Sequence, residues 1–332
     1  MSVNAQPSDL QPIQLAVLGD SDSHSYGDTI WFPKHEGMRG SAFRDTTYQW
    51  TEILDRLRHH EVFQGEWDTW GRSGRLASLA QRLGLGIRMP RKRDYRFNFA
   101  WSGARCEDLG NGKVGQTSHL LRTIDASPSL WANGIVQIRI GINDLGTRQF
   151  SDRVAAEGLS ERVKTKTDVC IDAVRQSVAA LRSESPELKI VLVGILNNSD
   201  WPPFFDLWQS RREQNNINAM LDRFDDSLAE LAAQDGAVAY FDDRDWFERH
   251  WGGRDRDGLP DYHSVDVAAG LSISNTQGDS YENAILADGH AGTMLNAIWV
   301  RDFIDFLNET WDLKLTPVTS VELESLAESL MK

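Results

Sequence analysis

The sequence predicts one α/β domain built around a mainly parallel, doubly wound sheet. Apolar runs of strand length alternate with longer segments whose apolar residues recur three and four apart. That alternation is the pattern of parallel strand–helix–strand units. No internal repeat or low-complexity linker divides the 332 residues, a length that α/β folds commonly keep in one unit.

Strands are expected at residues 14–18, 96–101, 135–140, 189–195 and 237–241. Between them, helices at 50–58, 74–83, 119–124, 163–182 and 211–233 would each cover one face of the sheet, and 294–307 closes the pattern. Residues 1–310 therefore read as a single domain. Two stretches, 29–74 and 246–281, are rich in Gly, Asp, Trp and Arg with poor periodicity and read as insertions. Long irregular segments in compact domains are often functional, and these would wall the substrate. Residues 311–332 read as a tail with a short amphipathic helix, lying on the surface or used between copies.

Thirty-five basic residues against 49 acidic ones give a net charge of −14. Nucleic acid and anionic membranes both demand a basic footprint, so neither is an expected partner. The one dense basic run, RMPRKRDYR from Arg88 to Arg96, reads as a solvated approach to a strand. No stretch reaches the ~18–20 apolar residues of a membrane span. The start of the chain lacks the basic and apolar regions of a secretory signal, which fits either a cytoplasmic protein or a removed signal. The two cysteines, Cys106 and Cys170, could pair, but no CxxC or Cys/His grouping marks a metal site.

Four short blocks carry chemistry. Gly19-Asp20-Ser21 directly follows the first apolar run, where strand-end loops of a doubly wound sheet form the ligand crevice. Ser102-Gly103-Ala104-Arg105 follows the second run, and a glycine there either permits a turn or bares a backbone N–H to substrate. Gly141-Ile142-Asn143-Asp144 follows the third, with Asn143 either a helix cap or an amide donor to a developing alkoxide. Asp288-Gly289-His290 precedes the last helix. A serine hydroxyl needs a base, histidine suits that task near neutral pH, and the base needs a carboxylate to fix its tautomer.

Nucleophile, oxyanion donors and base with acid follow in one order, each at an expected strand end or loop. In this the sequence resembles the SGNH (GDSL-type) serine hydrolase superfamily. Its four blocks are matched by Gly19-Asp20-Ser21, Gly103, Gly141-x-Asn143-Asp144, and Asp288 with His290. The resemblance implies a flavodoxin-like three-layer α/β/α sandwich needing no metal or organic cofactor. It also implies Ser21 as nucleophile and His290 as base, oriented by Asp288. The oxyanion hole would comprise the Ser21 and Gly103 backbone N–H groups and the Asn143 amide.

One departure stands out. The family separates its last Asp and His by two residues, whereas here Gly289 alone intervenes. Residues i and i+2 of an extended segment point the same way, and glycine admits unusual backbone angles. An Asp288–His290 hydrogen bond is thus attainable, but not by the family's helical turn. An acid from elsewhere, or a backbone carbonyl holding His290, stays open.

After Ser21, the segment GDSDSHSYGD replaces the family's common leucine and reads equally as a hydrogen-bonded loop or a hydrophilic substrate surface. Asp22 is its substrate-binding candidate. His24 is a rival base, handicapped by its closeness to Ser21. Of 12 tryptophans, Trp101, Trp201, Trp246 and Trp251 are candidates for stacking on a sugar ring or lining an acyl pocket. Asn197, Asn198 and Asp200 sit in the loop after the fourth strand and could bind a polar ligand. The whole reads as an esterase acting through an acyl-enzyme on short acyl groups, acetyl above all, with a saccharide or other small-molecule ester as partner. The rivals are a lipase or thioesterase, an acyltransferase, and a non-catalytic carbohydrate-binding module on the same fold.

Overall fold

Strand β1 (Ile13–Gly19) is buried at every residue but its first, as a strand covered on both faces must be. In the computed structural model, which describes residues 11–33, 38–73, 87–110, 115–268 and 270–331, it lies inside an all-parallel sheet. Its neighbours are β2 (Val62–Phe63) and β5 (Ile135–Arg139), followed by β6 (Lys189–Val193) and β7 (Val238–Phe241). The five-stranded order is β2-β1-β5-β6-β7. Side chains alternate between two apolar layers: Leu15, Val17 and Val191 face one, Ala16, Leu18 and Val136 the other.

On the first face lie α1 (Trp50–Arg58), begun by a Gln49–Glu52 capping box, and α8 (Thr293–Trp311). On the second lie α2 (Gln116–Asp125), α5 (Glu161–Glu184) and α6 (Arg211–Ala233). The fold is the expected three-layer α/β/α sandwich. Register pairs Gly19 with Arg139 at the carboxyl ends of β1 and β5, so the Ser21 and Gly141 loops emerge side by side.

Several elements differ from expectation. Residues 96–101 form no regular strand; they meet β1 through one bridge, Val17 to Asn98, and one further bond, from Trp101 N to Gly19 O at 3.3 Å. The strand lies just before: β4 (Lys92–Tyr95), antiparallel to β3 (Trp67–Trp70). The basic run is solvated only in part: Arg91, Arg93 and Arg96 are exposed, whereas Lys92 is buried and Arg88 half-buried. Lys92 is buried with Asp94 at 2.7 Å, and the Arg88 guanidinium lies over Trp70 and Phe99, so neighbours rather than water satisfy both cations.

The late insertion is also more regular than its sequence. After α7 (Asp243–Trp251) come a hairpin, β8 (Gly252–Arg254) with β9 (Pro260–Tyr262), and a three-stranded sheet of β10 (Val265–Ala268), β11 (Leu271–Gln277) and β12 (Asn283–Ile285). The expected helix at 74–83 lies outside the described residues. The tail carries α9 (Ser320–Leu330), whose buried Leu323, Leu326 and Leu330 join the cluster of α8. An Arg58–Glu322 ion pair at 2.7 Å anchors it. Cys106 and Cys170 form a disulfide. No helix among the described residues is long and apolar enough to cross a membrane.

Candidate active site

Where β1 ends, its last peptide is held by a side chain: Gln116 accepts from Gly19 N and donates to Gly19 O, at 2.7 and 2.8 Å. The chain then turns, with the Ser23 and His24 N–H groups donating to the Asp20 carbonyl. Asp20 is buried, and its carboxylate accepts from Asp22 N at 3.1 Å and Gly141 N at 3.3 Å, tying the two strand-end loops together. Burial, and then the charge of Asp22, push its carboxyl well up. Ser21 sits on this turn, 6% exposed.

The rest of the GDSDSHSYGD segment is a buried hydrogen-bonded loop. Ser23, His24, Ser25 and Asp28 are fully enclosed, so the hydrophilic-surface reading holds only for its first residues. Ser102 N donates to His24 Nδ1 at 3.0 Å, which places the ring proton on Nε2, 2.9 Å from Asp28. Both ring nitrogens are engaged and burial lowers its pKa well below the usual value, so His24 is no rival base.

Gly103 is exposed, with φ +90° and open space where a side chain would stand. Asn143, on the short helix α3 (Ile142–Leu145), donates to the Ala104 carbonyl at 2.9 Å. That bond uses one of two amide hydrogens and holds the Gly103 loop beside it. Asp144 accepts from Cys106 N at 2.8 Å and steadies the same loop.

Asp288 and His290 do meet: Nδ1 lies 3.1 Å from Asp288 Oδ1. The single intervening residue suffices because Gly289 has φ +85° and its N–H closes a turn onto Leu286 O at 2.9 Å. Trp201 Nε1 donates to Gly289 O at 2.8 Å and Tyr26 Oη to Ala291 O at 2.9 Å, clamping the loop on either side of the histidine. Ser21, Asn143, Asp288 and His290 line one cavity of about 410 Å³. Among the described residues no hydrogen bond joins the Ser21 hydroxyl to His290; such contacts are often loose before substrate arrives.

The other expected site residues divide between this cavity and its surroundings, and Gly103 is not among the residues that line it. Asp22 and Trp201 line the cavity, as does Asn198. Trp101 stands outside its walls, its ring 5.2 Å from that of Trp31. Asn197 caps the 3-10 turn Asn198–Asp200 through Ser199 N at 2.9 Å and faces a neighbouring polar cleft. Trp246 and Trp251 are core residues, 1% and 0% exposed. Sequence reasoning missed Arg148 and Gln277 in the cavity wall, and Arg39, whose guanidinium bonds Asp288. None of the three adjoins a recognisable block, so no local signal marks them.

Residues 17–265 match the GDSL-like lipase/acylhydrolase family. The chain belongs to this family. It is accordingly a carboxylic ester hydrolase. The match ends before Asp288 and His290, so that part of the hydrolase site rests on its geometry. Among solved structures, the extracellular lipase of Streptomyces rimosus is similar at 19% identity, over 86% of this chain and 98% of that one, with TM-score 0.37. Phospholipase A1 from Streptomyces albidoflavus NA297 is similar at 16%, over 86% and 98%, with TM-score 0.34. An acetyl xylan esterase from Butyrivibrio proteoclasticus is similar at 12%, over 93% and 66%, with TM-score 0.36. No curated protein matches the sequence of this hydrolase.

Proposed function

We propose that this GDSL-like hydrolase cleaves short acyl esters, acetyl esters above all, of saccharides or similarly polar alcohols through an acyl-enzyme on Ser21. One observation carries the reading: the cavity that brings Ser21, Asn143 and His290 together is small, about 410 Å³, and mixed in character. Ile142, Leu196 and Pro203 offer a limited apolar surface for an acyl group, while Asp22, Arg148, Asn198 and Gln277 offer hydrogen bonds to a hydroxylated alcohol. Trp201 and Phe204 add aromatic surface of the kind on which sugar rings stack. Trp101 and Asn197, outside these walls, are given no part in substrate binding.

In this mechanism Asp288 holds the Nδ1 proton of His290, leaving the Nε2 lone pair to take the proton of Ser21 as its oxygen attacks the carbonyl. The tetrahedral oxyanion is met by the Ser21 and Gly103 backbone N–H groups and by the Asn143 amide hydrogen not used on Ala104. His290 then protonates the departing alcohol. Water, activated by the same nitrogen, releases the acid and restores Ser21.

The test compares wild type with Ser21→Ala on p-nitrophenyl acetate, then on acyl esters of graded length and on acetylated saccharides. Loss of the nucleophile should cost several orders of magnitude in kcat with the fold intact. Retention of more than about a tenth of the rate overturns the assignment of Ser21. Wild type that hydrolyses nothing is a binding module. Rates that climb with acyl length point to a lipase or thioesterase.

A further inference from the structure

Arg39 belongs to none of the four blocks, yet it reaches the acid–base pair from the early insertion. Its side chain is fully buried, with the guanidinium carbon 4.2 Å from the Phe32 ring centre and 5.2 Å from that of Tyr26. Asp288 Oδ2 accepts twice from it, from Nη1 at 2.5 Å and from the backbone N–H at 3.0 Å. The same Nη1 lies 2.9 Å from His290 Nδ1. One imidazole nitrogen therefore faces a guanidinium and a carboxylate at once.

We propose that Arg39 is the positioning residue of this pair: it clamps Asp288 with Oδ1 turned toward His290 Nδ1. The proposal rests on the reading of His290 as general base.

Bonding rules decide how the three groups share their contacts. Arginine has donors only, and an ionised carboxylate has acceptors only. Arg39 could bond Nδ1 only if that nitrogen were bare, which would put the proton on Nε2 and leave no base toward Ser21. Asp288 can bond Nδ1 only if it carries the proton, the working tautomer. The short charge-assisted bond from Nη1 holds Oδ2, which leaves Oδ1 facing Nδ1 to accept its proton in the working tautomer. Burial acts to raise the Asp288 carboxyl, but the bond and charge of His290 and the charge and backbone N–H of Arg39 hold it well below the usual carboxylate range. It stays charged wherever the base works.

The need for such a clamp follows from the shortened spacing. With only Gly289 between acid and base, no helical turn fixes Asp288, and two donors from a distant segment do so instead. The cost is a buried cation. Among the described residues Arg39 Nε and Nη2 find no hydrogen-bond partner, and the Phe32 and Tyr26 rings supply the remaining compensation. Among the described residues, Asp22 and Arg148 share the cavity with His290, and His24 lies behind it, kept neutral by burial.

Arg39→Lys keeps the charge, and Arg39→Gln keeps a donor without it. Wild type and both variants are compared for kcat and KM on p-nitrophenyl acetate from mildly acid to mildly alkaline pH, with thermal melts to confirm folding. In Arg39→Gln, kcat should fall by about tenfold or more with KM little changed. Arg39→Lys, which keeps a charged donor, should recover part of that kcat. Wild-type kcat in Arg39→Gln, a loss carried by KM instead of kcat, or no recovery at all in Arg39→Lys overturns the proposal and leaves Arg39 a packing residue. Should Arg39→Gln not fold, Arg39→Lys alone decides: a folded enzyme with reduced kcat and unchanged KM supports the clamp, and wild-type kcat or a raised KM overturns it. A fully active Ser21→Ala enzyme would instead sink the underlying mechanism, so the two failures are distinct.

Discussion

Replacing Asn143 by alanine separates transition-state stabilisation from mere structure. Asn143 is half-buried, and among the described residues its side chain makes one hydrogen bond, to Ala104 O at 2.9 Å. Losing it, with a buried carbonyl left short of a partner, costs about 1–3 kcal/mol of stability. That is well inside the ~5–15 kcal/mol that holds such a domain together. The second amide hydrogen is the one assigned to the oxyanion, and removing such a donor costs about 10²–10³ in kcat, or roughly 3–4 kcal/mol of barrier. Because it acts only as charge develops, KM should barely change. The assay is steady-state hydrolysis of p-nitrophenyl acetate beside a thermal melt. Asn143→Asp should be as inactive as the alanine variant, since a carboxylate would face both Ala104 O and the oxyanion with acceptors alone. A raised KM with constant kcat, or an active Asn143→Asp enzyme, refutes the oxyanion role and leaves Asn143 a tie to the Gly103 loop.

Asp288→Asn should lower kcat strongly, with the Asp288→Asn/His290→Ala double variant little worse than His290→Ala alone, because the two act as one unit. It should also lose about 3–5 kcal/mol of stability, since it strips the buried Arg39 of its counter-charge; a near-normal enzyme would mean that another group orients His290. Gly289→Ala meets no atom within 4 Å, but holding φ near +85° costs a non-glycine residue about 1–2 kcal/mol. Melting temperature and kcat should therefore fall together, and an unchanged enzyme would show that the turn is not required. His119, 7% exposed, accepts from Arg122 at 2.8 Å. Burial, then Arg122 and Arg88, lower its pKa from 6.5 to about 4. Between those values the unfolded chain holds a proton that the native protein lacks, so its stabilisation is complete above pH 6.5 and drains away as pH falls toward 4. At about 1.4 kcal/mol per pH unit the gap amounts to about 3 kcal/mol, and His119→Gln should flatten the acid decline in melting temperature. An equally steep decline in the variant would refute that account.

Much of the fold was legible because burial on both faces leaves a local mark. Strands β1, β5, β6 and β7 are continuous apolar runs, and α1 and α6 show helical spacing with caps at Gln49 and Ser210. Strands β8–β12 left a weaker mark: most are three or four residues long, and polar residues such as Asp261, Asp266, Ser272 and Asn275 interrupt their apolar ones, so long-range pairing decides them. Lys92 misled for the opposite reason. A charged residue reads as exposed until a partner such as Asp94 is known to be buried with it.

The sequence by itself determined which groups each block offers, since a serine at a strand end, an amide after a later strand and a histidine beside a late helix are local facts. Only the tertiary structure decided which groups face each other. It closed both nitrogens of His24, turned the backbone at Gly289 so that Asp288 reaches Nδ1, and moved Trp101 and Asn197 off the cavity wall. Arg39 is the clearest case, because 249 residues separate it from Asp288. Which groups a buried guanidinium bonds is set by its surroundings in space, and no local pattern along the chain records them.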